Sequence, residues 1–392
     1  MAKQASNRGS KGSESSPKHA AAGKPVGKRK KPPATEKIVE FAQSIVASAA
    51  KKKDPSLEIP LRTLANAQYN KTKRIIEMGG KTSTRSFFDL GQAKSFMQTA
   101  LIASGCKRLI DEDKTVSIRG LYYLSKHTIA GTKEKTFNDQ DDSDPIIEDV
   151  EVALEALREE LHVFASSRGT IAGNLTVVSK GDEIDLRRLG AGGLGIPGIV
   201  EPDVLQFRKC DAKFVLHVEK DTVWQRFNED KFWQKHRCIL THGNGQPPRG
   251  VRRLLQRMNQ ELGLPVYCLL DNDPWGYYIY SVIKQGSINL AFESQRMAVP
   301  DAKFIGVRSH DYEDYGLSDD VKIAIDDKDI KRAKQILSYP WFAGKREWEK
   351  EINAMLKHGF QMEVESLLTK SISFVTETYM PERLKQRSHW LD

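Results

Sequence analysis

The chain has 392 residues, of which 39% are hydrophobic and 29% charged, and its formal net charge is +9. This length allows two or three domains with separate cores. The sequence contains no apolar run long enough to span a membrane and no apolar N-terminal signal segment, so we expect no membrane association and an intracellular protein. Its four cysteines lack C-x-x-C spacing, which argues against structural zinc and disulfides.

Most of the positive charge lies in the first 34 residues. They contain nine Lys or Arg and one Glu, a net of +8, which leaves about +1 for the remaining 358 residues. This segment is rich in Ser, Gly, Ala, Pro and Lys and cannot bury enough apolar surface to fold. We therefore predict a disordered basic tail over residues 1–34 that attracts polyanions without sequence preference.

Short elements are predicted after the tail. Apolar spacing indicates an amphipathic helix within an N-terminal helical extension, residues 35–65. The predicted elements are, in chain order, a helix over 36–53, an extended linker over 55–62, a second helix over 66–78, a strand-like run over 81–89 and a helix over 91–110.

The next segment indicates a helix-turn-helix. Ser117 is a plausible N-cap for a helix from Ile118 to about His127. Arg119, Tyr123 and His127 are spaced i, i+4, i+8 and are predicted to share one face of it. A guanidinium matches phosphate oxygens bidentately, so this face suggests a nucleophilic tyrosine beside a phosphate-binding arginine. A tyrosine that is simply packed, and a histidine without a catalytic role, remain open at this point.

Two segments then separate this region from the rest. Residues 136–149 are strongly acidic and are predicted to form a surface insertion, followed by a helix over 146–161. Residues 190–195, G-A-G-G-L-G, fit the letter of a dinucleotide-binding motif, but Pro197 forbids the helix that such a motif must open. We interpret residues 166–204 as a turn-rich hinge.

Carboxylates follow two predicted strands of the second half. The run F-V-L-H-V ends at Glu219, and the run V-Y-C-L-L ends at Asp271 and Asp273. The carboxyl ends of parallel strands lie at one edge of a sheet, and carboxylate oxygens are suitable ligands for Mg²⁺. The sequence therefore predicts a divalent-metal site, with a solvated acidic rim as the alternative.

A basic helix over 249–262 lies between the two carboxylate strands. Its Arg249, Arg252 and Arg253, together with His127, are candidate DNA contacts. Beyond the second strand we predict a strand over 302–308, helices over 326–337 and 348–357, and further helix from Glu363.

Strand, Glu, helix, strand and D-x-D in this order are similar to the toprim domain of topoisomerases and related nucleases. Preceded by I-R-G-L-Y-Y, this order resembles the A-subunit family of type IIB DNA topoisomerases (topoisomerase VI), which is related to the protein that makes meiotic double-strand breaks. The resemblance runs from about Asn66 to the end, including G-I-P-G-I-V, T-H-G-N-G-Q-P and T-E-T-Y-M-P-E-R-L. The basic tail and the acidic segment lie outside the family pattern.

The resemblance implies a fold and roles for individual residues. It implies an α/β plus α+β chain with an N-terminal winged-helix (CAP-like helix-turn-helix) domain over 66–165 and a toprim α/β domain with a parallel sheet and C-terminal helical elements over 205–392. Tyr123 would be the nucleophile assisted by Arg119, and Glu219, Asp271 and Asp273 would hold Mg²⁺.

The same resemblance implies partners. The chain would form a homodimer on double-stranded DNA and join a separate ATPase B subunit of the GHKL type in an A2B2 heterotetramer. That B subunit would bind the ATP, and the N-terminal helical region of this chain would be the contact to it. The tyrosine of one protomer would act at the metal site of the other. The protein would be nucleoid-associated in a prokaryotic cytoplasm, or nuclear in a eukaryote. Two alternatives are a homologue that breaks DNA without strand passage and a non-catalytic DNA-binding protein with a toprim fold.

Overall fold

The computed structural model describes residues 33–392, so residues 1–32 of the predicted basic tail lie outside this range, and Ala34, the last residue of the predicted tail, begins the first helix. The α-helices of the described chain are α1 (Ala34–Ala50), α2 (Ala93–Asp111), α3 (Ile118–Ser125), α4 (Gln140–Ala153), α5 (Asp221–Glu229), α6 (Phe232–His236), α7 (Arg249–Leu262), α8 (Pro274–Gln285), α9 (Ser294–Met297), α10 (Asp311–Asp314), α11 (Asp327–Leu337), α12 (Arg346–His358) and α13 (Met380–Lys385).

The strands of the same range are β1 (Ser56–Pro60), β2 (Ala67–Asn70), β3 (Ile75–Met78), β4 (Thr82–Ser86), β5 (Val116–Ser117), β6 (Val163–Phe164), β7 (Thr170–Gly173), β8 (Leu175–Ser179), β9 (Asp182–Asp185), β10 (Leu194–Gly195), β11 (Leu205–Cys210), β12 (Phe214–Val218), β13 (Cys238–His242), β14 (Val266–Leu269), β15 (Lys303–Gly306), β16 (Ile323–Ala324) and β17 (Phe360–Gln361).

A six-stranded sheet dominates the second half, with strand order β10-β7-β13-β12-β14-β15. The strands β13, β12, β14 and β15 are parallel, whereas β7 runs antiparallel to β13. In β12 every residue is buried, because Val215 faces one apolar cluster and Leu216 the other. Burial on both faces explains the unbroken apolar runs that predicted these strands. The predicted parallel α/β sheet is therefore confirmed.

Helices cover both faces of this sheet. On one side α7, α8 and α12 contribute Leu254, Tyr277 and Ile352 to the core. On the other side α5 and the C-terminal segment contribute Trp224 and Tyr379. The predicted helices over 326–337 and 348–357 are observed as α11 and α12. In the described chain no helix is both long enough and apolar enough to cross a membrane.

The N-terminal half is built mainly from α2, α3 and α4. They enclose an apolar cluster that includes Ile102, Cys106, Leu121 and Ile147. The predicted N-cap is confirmed, since the Ser117 hydroxyl accepts a hydrogen bond from the Gly120 amide. The strand pairs in this half are short, and assignment of the region as a winged helix remains a prediction.

Residues 66–78 form a β-hairpin, so the helix predicted there was wrong. The side chain of Asn70 accepts hydrogen bonds from the amides of Thr72 and Lys73, which closes a turn between β2 and β3. Asparagine favours such turns because its side chain satisfies backbone donors locally. Residues 55–62 also differ from the predicted linker, because β1 pairs antiparallel with β4.

The acidic segment is not a surface insertion. Asp139 caps α4 by accepting from the Asp142 amide, and most of the segment then lies in this helix. Asp149 is buried and forms ion pairs with Arg62 and Arg85. Part of the negative charge is therefore used to attach β1 and β4 to the helical core. The helix predicted over 146–161 was placed too far along the chain, since α4 begins at Gln140 and ends at Ala153.

The segment interpreted as a hinge contains β7, β8, β9 and β10. Two of these strands, β7 and β10, belong to the main sheet, and the other two form a three-stranded sheet with β11. The glycines predicted as turn residues do allow turns: Gly193 has a φ of +59°, and a Cβ there would lie only 2.7 Å from the Trp224 ring. This segment is therefore part of the sheets and not a free connection. The other predicted domain boundaries stay predictions.

Candidate active site and metal centre

Tyr122 and Tyr123 differ sharply in their surroundings on α3. The Tyr122 ring is buried, and its hydroxyl donates to the carbonyl of Asn138 at 3.1 Å and accepts from Lys126. The Tyr123 side chain is 58% exposed and packs on the Tyr122 ring at 4.9 Å between centroids. Only the second tyrosine of the pair therefore presents its hydroxyl to an external substrate.

Arg119 lies one helical turn before Tyr123. Its guanidinium carbon is 5.9 Å from the centre of the Tyr123 ring, and the side chain is exposed. Within residues 33–392 it forms no ion pair, so its donors are free for a phosphate. The helix ends at Ser125, however, and His127 lies beyond it. The predicted i, i+8 alignment of His127 was therefore wrong, whereas Arg119 and Tyr123 do lie together on α3.

Glu219 and Asp271 meet at one edge of the main sheet, as predicted. Val218 pairs with Leu269 in the parallel β12–β14 ladder, which places the residues that follow these strands side by side. The backbone amide of Asp271 donates to the Glu219 carboxylate at 3.1 Å. Both side chains are buried, at 8% and 2% exposure.

Asp273 occupies the N-cap of α8. Its carboxylate accepts from the Gly276 amide at 2.5 Å, and Pro274 supplies the first residue of the helix. Burial raises the pKa of Asp273, although hydrogen bonds from the backbone amides of Gly276 and Trp275 oppose that effect. The D-x-D pattern thus serves two local purposes, because Asp271 ends the strand and Asp273 begins the helix.

Lys220, Glu363 and Glu365 complete this cluster and were not predicted. The Lys220 ammonium lies 3.0 Å from Asp271, 2.8 Å from Glu363 and 3.4 Å from Glu365. The Val364 amide also donates to Asp271 at 2.8 Å. Lys220 directly follows Glu219 and offered a local signal, whereas the segment around Val364 is 93 residues from Asp271. Only the folded chain brings it to the site.

The electrostatics of the cluster favour a cation. Burial, followed by repulsion from Asp271 and Asp273, raises the pKa of Glu219. The pKa of Asp271 is also raised by burial, although Lys220 opposes this shift. One ammonium therefore faces five carboxylates, and an added divalent cation would relieve their repulsion.

The carboxylates of the cluster offer only oxygen ligands, which suits Mg²⁺. The candidate ligand oxygens of Glu219, Asp271 and Asp273 do not all lie within 4.8 Å of one another. Among the described residues, only His310, Asp311 and Asp314 have ligand atoms that close together. Mg²⁺ typically keeps several waters and uses one or two carboxylates directly, so the more open cluster fits this ion.

The compact group around Asp311 has a structural explanation. The Asp311 carboxylate is paired with Arg383 and accepts from the Tyr379 hydroxyl at 2.6 Å. Burial, with Arg308 and Arg383 nearby, lowers the pKa of His310 to about 4. These cations already neutralise the carboxylate and would repel a metal ion.

The arginines of α7 do not face solvent. Arg249 is 7% exposed and lies 2.5 Å from Glu151, 2.7 Å from Glu293 and 3.3 Å from Glu159. Arg252 is 4% exposed and pairs with Glu293. Arg253 binds Glu201 through two hydrogen bonds of 2.8 Å. Internal carboxylates already occupy these arginines, and Arg249 and Arg252 are buried, so the structure gives no support to their predicted role as DNA contacts.

Two protein-family models match this chain. Residues 214–384 match the toprim domain of the topoisomerase 6 A-subunit/Spo11 family, and residues 94–163 match a family described as type IIB DNA topoisomerase. These matches include Glu219, Asp271 and Asp273 in the first range and Tyr123 in the second.

Curated relatives extend the similarity to nearly the whole chain. The A subunit of type 2 DNA topoisomerase 6 from Pyrococcus abyssi is 41% identical over 360 residues, 90% of this chain and 94% of its own. Proteins with the same name are 40% identical in Aeropyrum pernix, covering 92% of this chain and 96% of the relative, and 34% identical in Methanocaldococcus jannaschii, covering 93% and 98%.

Proposed function

Since this chain belongs to the A-subunit/Spo11 family of type IIB DNA topoisomerases, we propose that Tyr123 forms the transient bond to DNA and that Glu219, Asp271 and Asp273 hold Mg²⁺. The chain is the DNA-cleaving component of such an enzyme. The observation that carries the assignment of the nucleophile is the contrast between the exposed Tyr123 and the buried, hydrogen-bonded Tyr122.

The proposed reaction transfers a phosphoryl group of DNA from its 3′ oxygen to the phenolic oxygen of Tyr123. The Tyr123 phenolic oxygen attacks the phosphorus of a DNA phosphodiester, the bond from phosphorus to the 3′ oxygen breaks, and the 3′ oxygen takes up a proton while the phenol loses one. The product is a 5′-phosphotyrosine bond. Reversal restores the diester without a nucleotide, because the covalent intermediate conserves the bond. The exposed guanidinium of Arg119 is placed to bind the attacked phosphate.

The carboxylate cluster is the proposed place of the metal. When bound, Mg²⁺ would neutralise negative charge on the phosphate and on the leaving oxygen. Asp271 and Asp273 are fixed for this purpose by backbone amides of Val364 and Gly276. Lys220 provides a permanent positive charge beside Asp271, which limits repulsion among the carboxylates before metal binds.

We propose that the enzyme is a homodimer in which Tyr123 acts at the partner's metal site. In the described residues, the ring-stacking and cation–π contacts of Tyr123 are with Tyr122 and Arg119 of α3, whereas the hydrogen bonds of Glu219 and Asp271 come from the second half of the chain. These interactions share no residue. A duplex that enters between two protomers would meet one group from each of them.

A separate ATPase B subunit is the proposed second partner, giving an A2B2 assembly. The likeness to topoisomerase 6 A subunits supports it. The N-terminal region exposes apolar side chains that suit such a contact: Val46 is 67%, Phe88 70% and Leu90 97% exposed. The relatives are archaeal, and we propose that this protein acts at the chromosome in the cytoplasm.

Covalent capture tests the nucleophile. The protein, a cognate B subunit, supercoiled DNA, Mg²⁺ and ATP are mixed and stopped with detergent, and protein-linked DNA is measured. Tyr123→Phe should abolish the adduct. Tyr122→Phe, the matched control, should retain it, because its hydroxyl only supports α3. Relaxation of the DNA in the same reaction separates a topoisomerase from a homologue that breaks DNA without strand passage.

Mixed dimers test the arrangement in trans. Tyr123→Phe and Asp273→Asn proteins should each be inactive alone. If the tyrosine acts at the partner's metal site, a dimer containing one of each keeps one complete site and should nick one strand. If both groups act within one protomer, the mixture should yield no nicks.

A further inference from the structure

An exposed aromatic residue lies beside the metal centre. Trp275 follows Asp273 by two residues on the first turn of α8, and 51% of its surface is exposed. The other tryptophans of the chain, all within the described residues, are buried or half-buried. Neither the carboxylate cluster nor the Tyr123 site uses this side chain.

Arg332 of α11 is held between this tryptophan and a tyrosine of α8. Its guanidinium carbon is 4.7 Å from the centre of the Trp275 ring and 3.9 Å from that of Tyr278. One of its terminal nitrogens donates to Gln335 at 2.9 Å, and among the described residues the other terminal nitrogen forms no hydrogen bond, whereas Nε is buried without a partner. In the described part of the chain Arg332 forms no ion pair. A stacked guanidinium with unused donors is preorganised for a phosphate.

The solvent side of α11 adds three cations. Lys328, Lys331 and Lys334 are exposed and recur every three residues, so they form a row along the helix. Among residues 33–392 none of them is in an ion pair, in contrast to the arginines of α7. Of the acids at the start of the helix, Asp329 is buried and used in the capping box, whereas the N-cap Asp326 and Asp327 are exposed.

This row lies close to the metal centre. Helix α11 packs on α8, and its Arg332 lies over the ring of Trp275, which follows the carboxylate Asp273 by two residues. Positive charge at this place complements the backbone of a strand whose phosphate enters the carboxylate cluster.

We propose that Trp275, Arg332 and the lysine row form a DNA-binding surface that holds the strand beside the cleaved linkage. Arg332 and the lysines bind phosphates, and the outer face of Trp275 packs against a deoxyribose. This inference rests on the proposed function, because it takes DNA as the substrate. It adds a binding surface that the catalytic residues do not provide.

The test measures binding without cleavage. The full-length protein is titrated with a fluorescein-labelled DNA duplex in EDTA, and anisotropy is recorded over a series of salt concentrations. Arg332→Gln should weaken binding roughly tenfold and reduce the slope of log K against log salt by about 0.9, and Lys328→Gln/Lys331→Gln/Lys334→Gln should reduce it by about 3. The control changes Lys71, Lys180 and Lys209, which are also exposed and unpaired in the described chain, to Gln and removes the same charge elsewhere.

Tryptophan fluorescence gives a second readout. Duplex DNA should quench the wild-type emission, and Trp275→Phe should remove most of that quenching. The proposal is overturned if the α11 variants keep the salt slope of the control, or if Trp275→Phe leaves the quenching unchanged. Both readouts are independent of covalent chemistry. Failure of Tyr123→Phe to abolish the adduct would therefore refute the proposed function without affecting them.

Discussion

Replacement of Glu151 by Gln should destabilise the protein markedly, because this side chain joins the two halves of the chain. Glu151 of α4 is fully buried and lies 2.6 Å from Arg158 and 2.5 Å from Arg249 of α7. Arg249 continues the cluster to Glu293 at 2.7 Å. Removal of the Glu151 charge leaves two buried guanidiniums short of a counter-charge, and such a loss costs about 3–5 kcal/mol.

The expected shift in melting temperature follows from the size of the unit. Residues 34–392 form one compact unit of 359 residues. At about 2.1 cal/mol/K per residue, its unfolding entropy is roughly 0.75 kcal/mol/K, so Glu151→Gln should lower Tm by about 4–7 °C in calorimetry. The control is Glu160→Gln, which removes an exposed ion pair with Arg296 and should cost less than about 1 kcal/mol. Equal shifts for the two variants would refute the view that the buried cluster holds the halves together.

Three further predictions concern charge and packing around the two sites. Burial would raise the pKa of Glu151, but Arg249 and Arg158 outweigh it and lower that pKa. The ionised carboxylate therefore stabilises the folded protein above the unfolded-state pKa of Glu151, and this contribution is lost as pH falls. The difference in Tm between wild type and Glu151→Gln should persist at neutral pH and narrow as pH falls below about 4.5. Lys220→Met should lower Tm without metal but enlarge the rise in Tm that Mg²⁺ causes, whereas an unchanged Mg²⁺ response would contradict the role given to this ammonium. Gly276→Ala should cost about 1–3 kcal/mol in chemical denaturation, because a Cβ there would lie 2.4 Å from the carbonyl oxygen of Asp271; a neutral result would show that this backbone contact can relax.

Features encoded over a few residues were predictable from the sequence. The apolar runs before Glu219 and Asp271 are buried on both faces, and such strands have no alternation to obscure them. Ser117 acts as the predicted helix cap, accepting a hydrogen bond from the amide three residues later, which local sequence specifies. The helix after Ser117 and the two apolar strands were sufficient to locate Tyr123 and the carboxylates Glu219, Asp271 and Asp273 as candidate site residues.

Features that depend on distant partners were not predictable. Arg249 was interpreted as a DNA contact because nothing near it in the sequence shows that Glu151, 98 residues away, would neutralise it. The hairpin at residues 66–78 was missed because the helix prediction overlooked the Asn70 turn, which the structure shows closing β2 onto β3. The acidic segment was interpreted as solvent-exposed, although Asp149 binds arginines of β4 and of the residues after β1.

Mass spectrometry of the trapped protein–DNA complex tests the central claim most directly. The complex formed with Mg²⁺ and the B subunit is denatured, digested with nuclease and protease, and searched for a peptide that carries a nucleotide on tyrosine. The account predicts a 5′-phosphate on Tyr123 and its absence when Glu219→Gln replaces the wild type. A nucleotide on Tyr122 or on any other residue, or an undiminished adduct in Glu219→Gln, would contradict it.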